Sequence, residues 1–586
     1  MVVGLLTFTA IQLTVKSNNR AGNLKLASPQ DFTILGHDFE NNTIELLKEA
    51  EPFANRRRIP LVRIPSQGRL RGTILKSRRG RDYYAFYKVP YAAPPVGELR
   101  FELPQTPKRW FGVRDATKPG PQCIQRSKYE PVPTPAGEED CLFINIYTPQ
   151  LPSDATNNKQ TNFPVLVYFH GGGGPFGNGT RYGAKYFMDE DAVLVTVEFR
   201  IGILGYLSTG TPDYPGNIAA KDQVFSLKWV QKNIEKFGGD PKRVMIFGNS
   251  GGGFIVHSLL LSHMTTGLFS SGVLQSGNCI LNLAYTKDST ALAKQLAQEV
   301  GCEEKSLVEC LRKIDAKDLV LTKSQEMALV FVKEPIPADG DISNTFFTDS
   351  PWNLIQQGQI KNVPIIVGAV SQESLGGVSY DYLVNETATK EINMHFEEML
   401  PSIMGLQSYN QSEIHTMAKK FRELYFEDKP INNDTRVELL QLNSDSFVHS
   451  LRISALEHSK KTQQPVYLYW LTKEPARTYA EKYTQTFPPP YGASHADELQ
   501  YFFLYDGYPE ITTDSPWYNY SKTLVKMWVD FAATGKPISP TDEWKPIDPA
   551  DNGMKWFELG DNFREVKPVT KRMLLWDEYI PELYWT

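Results

Sequence analysis

Short apolar runs alternate with helical patterns through most of the chain. Five of these runs are rich in β-branched residues and are hydrophobic throughout rather than at every second position: "PVLVYFH", "AVLVTVEFR", "RVMIFGN", "VPIIVGAV" and "PVYLYWL". Continuous hydrophobicity is what a strand needs when both of its faces are buried, as in a parallel sheet covered by helices. The pattern therefore predicts an α/β fold with a large, mainly parallel central sheet and helices on both faces.

The segment between the second and third runs, "AAKDQVFSLKWVQKNIEKFGGDP", predicts a helix. Its larger apolar residues recur at roughly helical spacing: Val224, Leu227, Trp229 and Ile234. Gly238, Gly239 and Pro241 follow, and such residues end helices. This part of the chain is therefore predicted to fold as a strand, a helix and a second strand.

The chain is interpreted as one domain with an extension before it. No internal repeat or low-complexity tract is visible, so residues 61–586 are expected to form a single domain and residues 1–60 an N-terminal extension. The opening stretch "MVVGLLTFTAIQLTV" has the length of a secretory apolar core, but it lacks a preceding basic segment and a clear cleavage site. A signal peptide is therefore left open, and the basic run in "ANRRRIP" is interpreted as a solvated surface.

Composition narrows the classes of partner. The 586 residues are 41% hydrophobic and 22% charged, with a formal net charge of -5. This balance is ordinary for a globular protein and gives no electrostatic reason to expect nucleic acid. Because no run of 18 apolar residues occurs, no membrane span is predicted. The oligomeric state cannot be read from the sequence.

Cysteines and glycosylation acceptors favour a secreted protein. Five cysteines suggest two bridges and one leftover: Cys123 and Cys141 would close one loop, Cys302 and Cys310 another, and Cys279 stays free. Five reduced cysteines in a cytosolic protein remain the alternative. Candidate N-glycosylation acceptors occur six times, at Asn41, Asn178, Asn385, Asn410, Asn433 and Asn519.

A serine lies among glycines directly after the third apolar run. The stretch "FGNSGGG" contains G-x-S-x-G at residues 248–252, and the next residues, "FIVHSLLLSHM", predict a helix with an apolar stripe of Ile255, Leu259, Leu260 and Met264. Strand, tight turn and helix form the setting of a nucleophile elbow, in which the serine is held in a strained conformation and its hydroxyl is exposed. Flanking glycines remove the Cβ atoms that would collide there. Ser250 is therefore the candidate nucleophile.

A second glycine-rich segment, "HGGGGPFGNG" (residues 170–179), follows the first apolar run. Consecutive glycines can direct backbone N–H groups at one point, as stabilisation of an oxyanion requires. Gly172, Gly174 and Gly177 also fit the dinucleotide-binding pattern G-x-G-x-x-G. That pattern must open a helix, however, and Pro175 followed by "FGNGT" offers no helix start.

A serine nucleophile needs a base and an orienting acid. His495 lies in "GASHADELQYFF", after the last of the five runs, and Glu373 lies just past the end of "VPIIVGAV". Open α/β sheets place their sites at such carboxyl ends of strands. The order serine, acid, histidine along the chain is that of α/β-hydrolases.

Together these segments resemble the carboxylesterase/cholinesterase (type B carboxylesterase) family of α/β-hydrolases, and within it the insect carboxylesterases. The resemblance runs from about Gly68 to the C-terminus, and its further motifs include "VPYAAPPVGELRF", "EEDCLFINIYTP", "FRIGILGYLS", "PGNIAAKDQ", "NIEKFGGDPKRV" and "SHADELQYFF". So many motifs in the same order are specific.

The resemblance implies a function and a set of site residues. It assigns Ser250 as nucleophile, Glu373 as triad acid and His495 as base, with an oxyanion hole from the backbone N–H groups of Gly172, Gly173 and Gly251. It also implies the disulfides Cys123–Cys141 and Cys302–Cys310. The expected activity is hydrolysis of small to medium carboxyl esters through an acyl-enzyme, without a metal or organic cofactor, and the expected partner is a small-molecule ester.

Four positions depart from the family pattern, and one of them is Ser374, which follows Glu373 where the family has glycine. The elbow usually has glutamate where this chain has Asn249, and alanine where it has Gly251. Gly174 stands where a large residue is usual, which is expected to loosen the acyl side of the pocket. None of these changes removes a reacting group, but together they put the substrate preference in doubt.

The same fold is compatible with other functions. A noncatalytic, neuroligin-like adhesion protein is the alternative from another class, although such proteins have lost the serine. A cholinesterase is disfavoured because the segment between Cys123 and Cys141 lacks the tryptophan that holds a quaternary ammonium. Juvenile hormone esterases usually carry glutamine at the position of Asn249.

Overall fold

The computed structural model describes residues 59–579, except for 128–131, 155–160, 282–283, 287, 289, 326–330, 375–385, 404–410, 483–491 and 506. The chain divides into two units, Met1–Arg58 and Ile59–Thr586, and all described residues belong to the second. The possible signal peptide and the acceptors Asn41, Asn385 and Asn410 lie outside the described residues, so these predictions stay predictions. Asn519 is exposed, and the chain around Asn433 forms a short helical turn.

The strands of the described residues are, in chain order, β1 (Leu61–Ile64), β2 (Gly68–Arg71), β3 (Thr73–Lys76), β4 (Asp82–Pro90), β5 (Val113–Asp115), β6 (Gln125–Arg126), β7 (Pro135–Ala136), β8 (Phe143–Thr148), β9 (Phe163–Phe169), β10 (Tyr182–Gly183), β11 (Val193–Val197), β12 (Gly239–Asn249), β13 (Ser271–Gln275), β14 (Tyr285–Thr286), β15 (Phe331–Val332), β16 (Ile365–Val370), β17 (Val466–Leu471), β18 (Leu504–Tyr505), β19 (Trp556–Leu559) and β20 (Phe563–Val566).

The α-helices of the same residues are α1 (Ile203–Tyr206), α2 (Ile218–Asn233), α3 (Gly251–Leu261), α4 (Ala291–Val300), α5 (Leu307–Lys313), α6 (Ala316–Leu319), α7 (Pro351–Gln356), α8 (Glu386–Met394), α9 (Phe396–Ile403), α10 (Gln411–Phe426), α11 (Arg436–Lys461), α12 (Leu499–Phe502), α13 (Tyr518–Thr534) and α14 (Thr570–Tyr579).

An 11-stranded sheet in the order β20-β19-β17-β16-β13-β12-β9-β11-β8-β4-β3 forms the centre of the molecule. The seven strands from β19 to β11 pair in parallel, whereas the strands at the two edges pair antiparallel. This is the α/β-hydrolase architecture, and the prediction of a mainly parallel sheet is confirmed.

Each of the five apolar runs forms all or part of a strand of the central sheet. Every residue of β11, β16 and β17 is buried, and the side chains of the sheet's two faces pack into two large hydrophobic clusters. Continuous apolar sequence therefore corresponds to burial on both faces, as the pattern indicated. Because parallel strands end at the same edge, the residues just after these strands are brought together there.

One strand and two helices end at residues other than those predicted from the sequence. Strand β11 ends at Val197, so Glu198 lies beyond the strand although it belongs to the second apolar run. Helix α2 ends at Asn233, and Gly238, with φ of 87°, closes the helical turn that follows, whereas Gly239 and Pro241 already belong to β12. Helix α3 is buried at all of its residues and ends at Leu261, before Met264.

Both expected disulfides are present. Cys123 bonds to Cys141 and Cys302 to Cys310, while Cys279 is a free, buried cysteine. No helix in the described part of the chain is long and apolar enough to cross a membrane.

Candidate active site

Ser250 occupies the turn between β12 and α3. Its φ of 58° and ψ of -124° lie outside the regions that ordinary residues adopt. The backbone N–H of Ser250 donates to the carbonyl of Gln275 at 2.8 Å, and its carbonyl accepts from Phe254 in the first turn of α3. The predicted tight turn between strand and helix is therefore formed, and the surrounding hydrogen bonds hold the strained residue in place.

Glycine is required on both sides of this turn because the backbone is crowded by the neighbouring strand. A Cβ atom on Gly252 would lie 2.2 Å from the carbonyl oxygen of Phe169, and one on Gly248 would lie 2.6 Å from the backbone of Gly252. Real Cβ atoms do not approach other atoms so closely, so only glycine allows strand and helix to meet at this angle.

Glu373 and His495 are brought together by two loops at the ends of β16 and β17. The backbone N–H of Gln372 donates to the carbonyl of Ala493 at 2.9 Å, and Gln372 and Ser494 form an isolated parallel β-bridge. As a result the Nδ1 atom of His495 lies 2.6 Å from Oε2 of Glu373. The fold thus brings together two residues that are 122 positions apart in the chain.

The environment of Glu373 suits an orienting acid. Its side chain has no exposed surface, and its second oxygen, Oε1, accepts from the backbone N–H of Val370 at 2.9 Å. Since a carboxylate only accepts, Nδ1 of His495 carries the hydrogen in this contact. In the neutral imidazole, Nε2 is then the atom that can accept a proton.

The glycine-rich segment lies beside the elbow. Gly172 and Gly173 have φ values of 118° and 66°, which favour glycine. A Cβ atom on Gly251 would lie 3.2 Å from the backbone nitrogen of Gly173, so the backbones of these two residues are adjacent. Thus the three glycines expected to form an oxyanion hole come from two segments that meet next to Ser250.

Several contacts hold the segment from Gly171 to Thr180, called here the glycine loop. Gln125 binds Gly177 twice, accepting from its N–H at 3.0 Å and donating to its carbonyl at 2.8 Å. The backbone N–H of Gly202 donates to the carbonyl of Gly174 at 2.9 Å. The loop leads into a short 3-10 turn rather than an α-helix, so it lacks the helix that a dinucleotide-binding fingerprint needs.

Asn249, one of the departures from the family pattern, has a buried acidic partner. Its Nδ2 donates to Oε1 of Glu498 at 2.7 Å, and both side chains are buried. Burial, together with the nearby charge of Glu373, raises the pKa of Glu498 to about 7, while the proximity of His495 opposes this rise. Glu498 is therefore a titratable group that acts electrostatically on the His495–Glu373 pair.

Sequence reasoning did not single out Glu498, even though the residue lies in a quoted motif. The signal available was its position three residues after His495, in "HADELQ", where it is the second of two consecutive acids. What the sequence could not show is the contact with Asn249, which joins positions 249 residues apart.

No group of three or more His, Cys, Asp or Glu side chains among the described residues could hold a metal ion. The groups that the fold brings together at this edge are a strained serine, a histidine–carboxylate pair and adjacent glycine N–H groups. Such an arrangement is that of serine hydrolases with an α/β-hydrolase fold.

Comparison with known proteins agrees with this class. The model of the carboxylesterase family matches residues 59–576. Esterase FE4 of Myzus persicae is 33% identical over 84% of this chain and 88% of its own length, and juvenile hormone esterase of Tribolium castaneum is 32% identical over 82% and 84%. The crystal structure of juvenile hormone esterase from Manduca sexta has a TM-score of 0.75 at 26% identity, covering 89% of this chain and 99% of that one.

The chain therefore belongs to the carboxylesterase family. It is an enzyme of the class that hydrolyses carboxylic esters, and nothing in its relatives favours the noncatalytic alternative.

Proposed function

We propose that Ser250, His495 and Glu373 form the catalytic triad of a serine carboxylesterase. The observation that carries the proposal is the 2.6 Å contact between His495 and Glu373, at the same sheet edge as the strained elbow of Ser250. His495 removes the proton of the Ser250 hydroxyl, and the oxygen attacks the ester carbonyl. Glu373 remains ionised and orients the imidazole.

The reaction then proceeds through an acyl-enzyme. The N–H groups of Gly172, Gly173 and Gly251 stabilise the tetrahedral oxyanion, and His495 gives its proton to the leaving alcohol. A water molecule repeats the sequence on the acyl-enzyme and releases the acid. The proposed substrates are small to medium carboxyl esters of xenobiotic, dietary, pheromone or hormone origin.

The direct test is hydrolysis of 1-naphthyl acetate and of p-nitrophenyl esters of increasing acyl length by the purified protein. Labelling with an organophosphate should reach one equivalent per chain and should be absent in Ser250→Ala, because only an assembled triad activates the serine. A folded wild-type protein that neither hydrolyses these esters nor takes up the label would contradict the proposal and favour the adhesion-protein reading.

Choline esters are expected to be poor substrates. A quaternary ammonium is held best over an aromatic face, especially that of tryptophan, and residues 124–140 contain no tryptophan. Hydrolysis of acetylthiocholine should be negligible beside that of 1-naphthyl acetate at equal concentration. Efficient hydrolysis of acetylthiocholine would show that another group binds the cation.

Replacement of Glu498 by glutamine should move the acid limb of the kcat/KM profile to lower pH. Above about pH 7 the Glu498 carboxyl is ionised, and its negative charge favours the protonated form of the nearby His495. Removing that charge makes the base titrate at lower pH, by about one pH unit at most. The profile should be measured between pH 5 and 8 with a p-nitrophenyl ester.

A suitable control for this change is Glu510→Gln, which removes a carboxylate from a partly exposed ion pair with Lys185. This control should leave the acid limb where it is in the wild type. An acid limb that stays in place in Glu498→Gln as well would contradict the proposed electrostatic link.

We also propose that the enzyme acts in a secretory or extracellular compartment. The two disulfides support this, because such bonds persist mainly in oxidising compartments. Expression in insect cells should release the protein into the medium, and treatment with an N-glycosidase should lower its apparent mass. Retention of unglycosylated protein in the cytosol would contradict this localisation.

A further inference from the structure

Two buried titratable groups beside the glycine loop have no part in the proposed reaction. His170 follows β9 and Glu198 follows β11, and these strands pair in parallel with Phe169 opposite Val197. The register therefore places His170 and Glu198 side by side at the carboxyl edge of the sheet. Both are almost fully buried, with 2% and 1% of their surface exposed.

His170 holds the beginning of the glycine loop. Its Nδ1 donates to the carbonyl of Gly171 at 3.0 Å, and its ring stacks on Phe199 with a centroid separation of 4.3 Å. A carbonyl oxygen only accepts, so Nδ1 carries the hydrogen. Because burial lowers the pKa of His170 to about 4, the ring is neutral and Nε2 has a lone pair.

Glu198 holds the end of the same loop. Its Oε1 accepts from the backbone N–H of Thr180 at 3.1 Å, a hydrogen shared with Asn178, and the carboxyl also accepts from the backbone N–H of Gly179. Its Oε2 is buried without a hydrogen-bond partner and lies 3.9 Å from Nε2 of His170. Burial raises the pKa of the Glu198 carboxyl to about 8, so at neutral pH the group is a neutral acid.

We propose that Glu198 is a positioning residue for the oxyanion hole: paired with His170, it fixes both ends of the glycine loop, and it does so in its protonated form. The inference rests on the proposed role of Gly172 and Gly173, which lie between the two anchored ends. The proton on Oε2 faces the lone pair of Nε2. Loss of that proton leaves a buried carboxylate opposite a lone pair, and the resulting repulsion displaces the loop and its N–H groups.

Other ionisable groups near His170 and Glu198 do not accept the proton of the Glu198 carboxyl. Tyr91 donates from its hydroxyl to the backbone carbonyl of Glu198 at 2.8 Å, and burial raises the pKa of this phenol well above its usual range. Arg200, two residues along, is held by Asp222 through two contacts of 2.8 and 2.6 Å. Tyr91 is thus a neutral phenol and Arg200 belongs to a closed ion pair, and burial is the largest influence on the protonation of Glu198.

The test compares Glu198→Gln and Glu198→Ala with the wild type, measuring kcat and KM for p-nitrophenyl butanoate between pH 6 and 9.5. In the wild type kcat should fall as the pH rises through about 8. Glutamine keeps an acceptor oxygen for the loop but cannot ionise, so this alkaline fall should disappear. Alanine removes the anchor, and kcat should drop about tenfold at every pH with KM nearly unchanged, since misaligned oxyanion donors affect the transition state rather than binding.

Glu190→Gln serves as the matched control. Glu190 is another carboxyl whose pKa is raised by burial, but it pairs with Arg79 outside the glycine loop. Its replacement should leave the wild-type profile intact, which would show that the loss of the alkaline fall is specific to Glu198.

The inference is overturned if the wild type shows no alkaline fall, or if Glu198→Gln shows the same fall as the wild type. If Glu198→Ala does not fold, the glutamine variant alone decides. Failure of the proposed function has a different signature, namely full ester hydrolysis by Ser250→Ala. An inactive Ser250→Ala together with an unchanged profile in Glu198→Gln refutes only the role of Glu198.

Discussion

Replacing Ser250 with alanine is expected to lower kcat for 1-naphthyl acetate by about 10⁴–10⁶-fold, since loss of the nucleophile of such a triad has effects of this size. Alanine removes only the hydroxyl, and the hydrogen bonds of the elbow are made by the backbone of Ser250. The variant should therefore fold and still bind substrate. Single-turnover measurements should detect no acyl-enzyme.

The control for this substitution is Ser258→Ala. Ser258 is buried in α3, eight residues after Ser250, and its hydroxyl donates to the carbonyl of Ile255 within the same helix. The same chemical deletion there should leave kcat within about twofold of the wild type, because alanine is favourable in helices. Ester hydrolysis that survives in Ser250→Ala would mean that another residue is the nucleophile.

Gly173→Asp is expected to lower kcat by about 10²–10³-fold, the effect of losing one oxyanion donor. At Gly173, φ is 66°, within the left-handed region that aspartate tolerates better than most residues, and a Cβ atom would meet only Pro175, at 3.9 Å. The chain should therefore accept the side chain without unfolding. The carboxylate would then lie next to the developing negative charge and repel it.

Gly173→Asn tests whether the charge or the volume of the aspartate side chain causes the loss of activity in Gly173→Asp. Asparagine has nearly the same shape and tolerates the same backbone conformation, so it should cost less activity than aspartate. Thermal unfolding of both variants should lie close to that of the wild type. Unchanged turnover in Gly173→Asp would contradict the assignment of Gly173 to the oxyanion hole.

The strands and the elbow could be predicted because their signals are local. Continuous apolar runs identified β9, β11, β12, β16 and β17, and glycines around Ser250 identified the turn. The edge strands β3 and β20 gave no such signal, because an edge strand is partly exposed and its register is set by its neighbour. Likewise, the small sheet of β1, β2 and β5 was not foreseen.

The contacts that adjust the site could not be predicted, because they join distant parts of the chain. The sequence alone does not explain why Asn249 departs from the family pattern. In the fold, Asn249 lies beside Glu498 and donates a hydrogen bond to it. The pairing of His170 with Glu198 depends on the register of β9 against β11, and a shift of one residue would separate the two groups. His170 and Glu198 each follow directly after a buried strand, and this position is the only sign of their pairing in the sequence.

The order of the three proposed catalytic residues along the chain has a consequence for synthesis. His495 follows Ser250 by 495 − 250 = 245 residues, so a ribosome adding about 5–20 residues per second needs about 12–50 s to pass from one to the other. During that interval the serine has no base, and the nascent chain cannot react with esters or organophosphates. The enzyme thus becomes reactive only after most of its sheet has been made, and in a cell exposed to an organophosphate the label should be confined to completed chains.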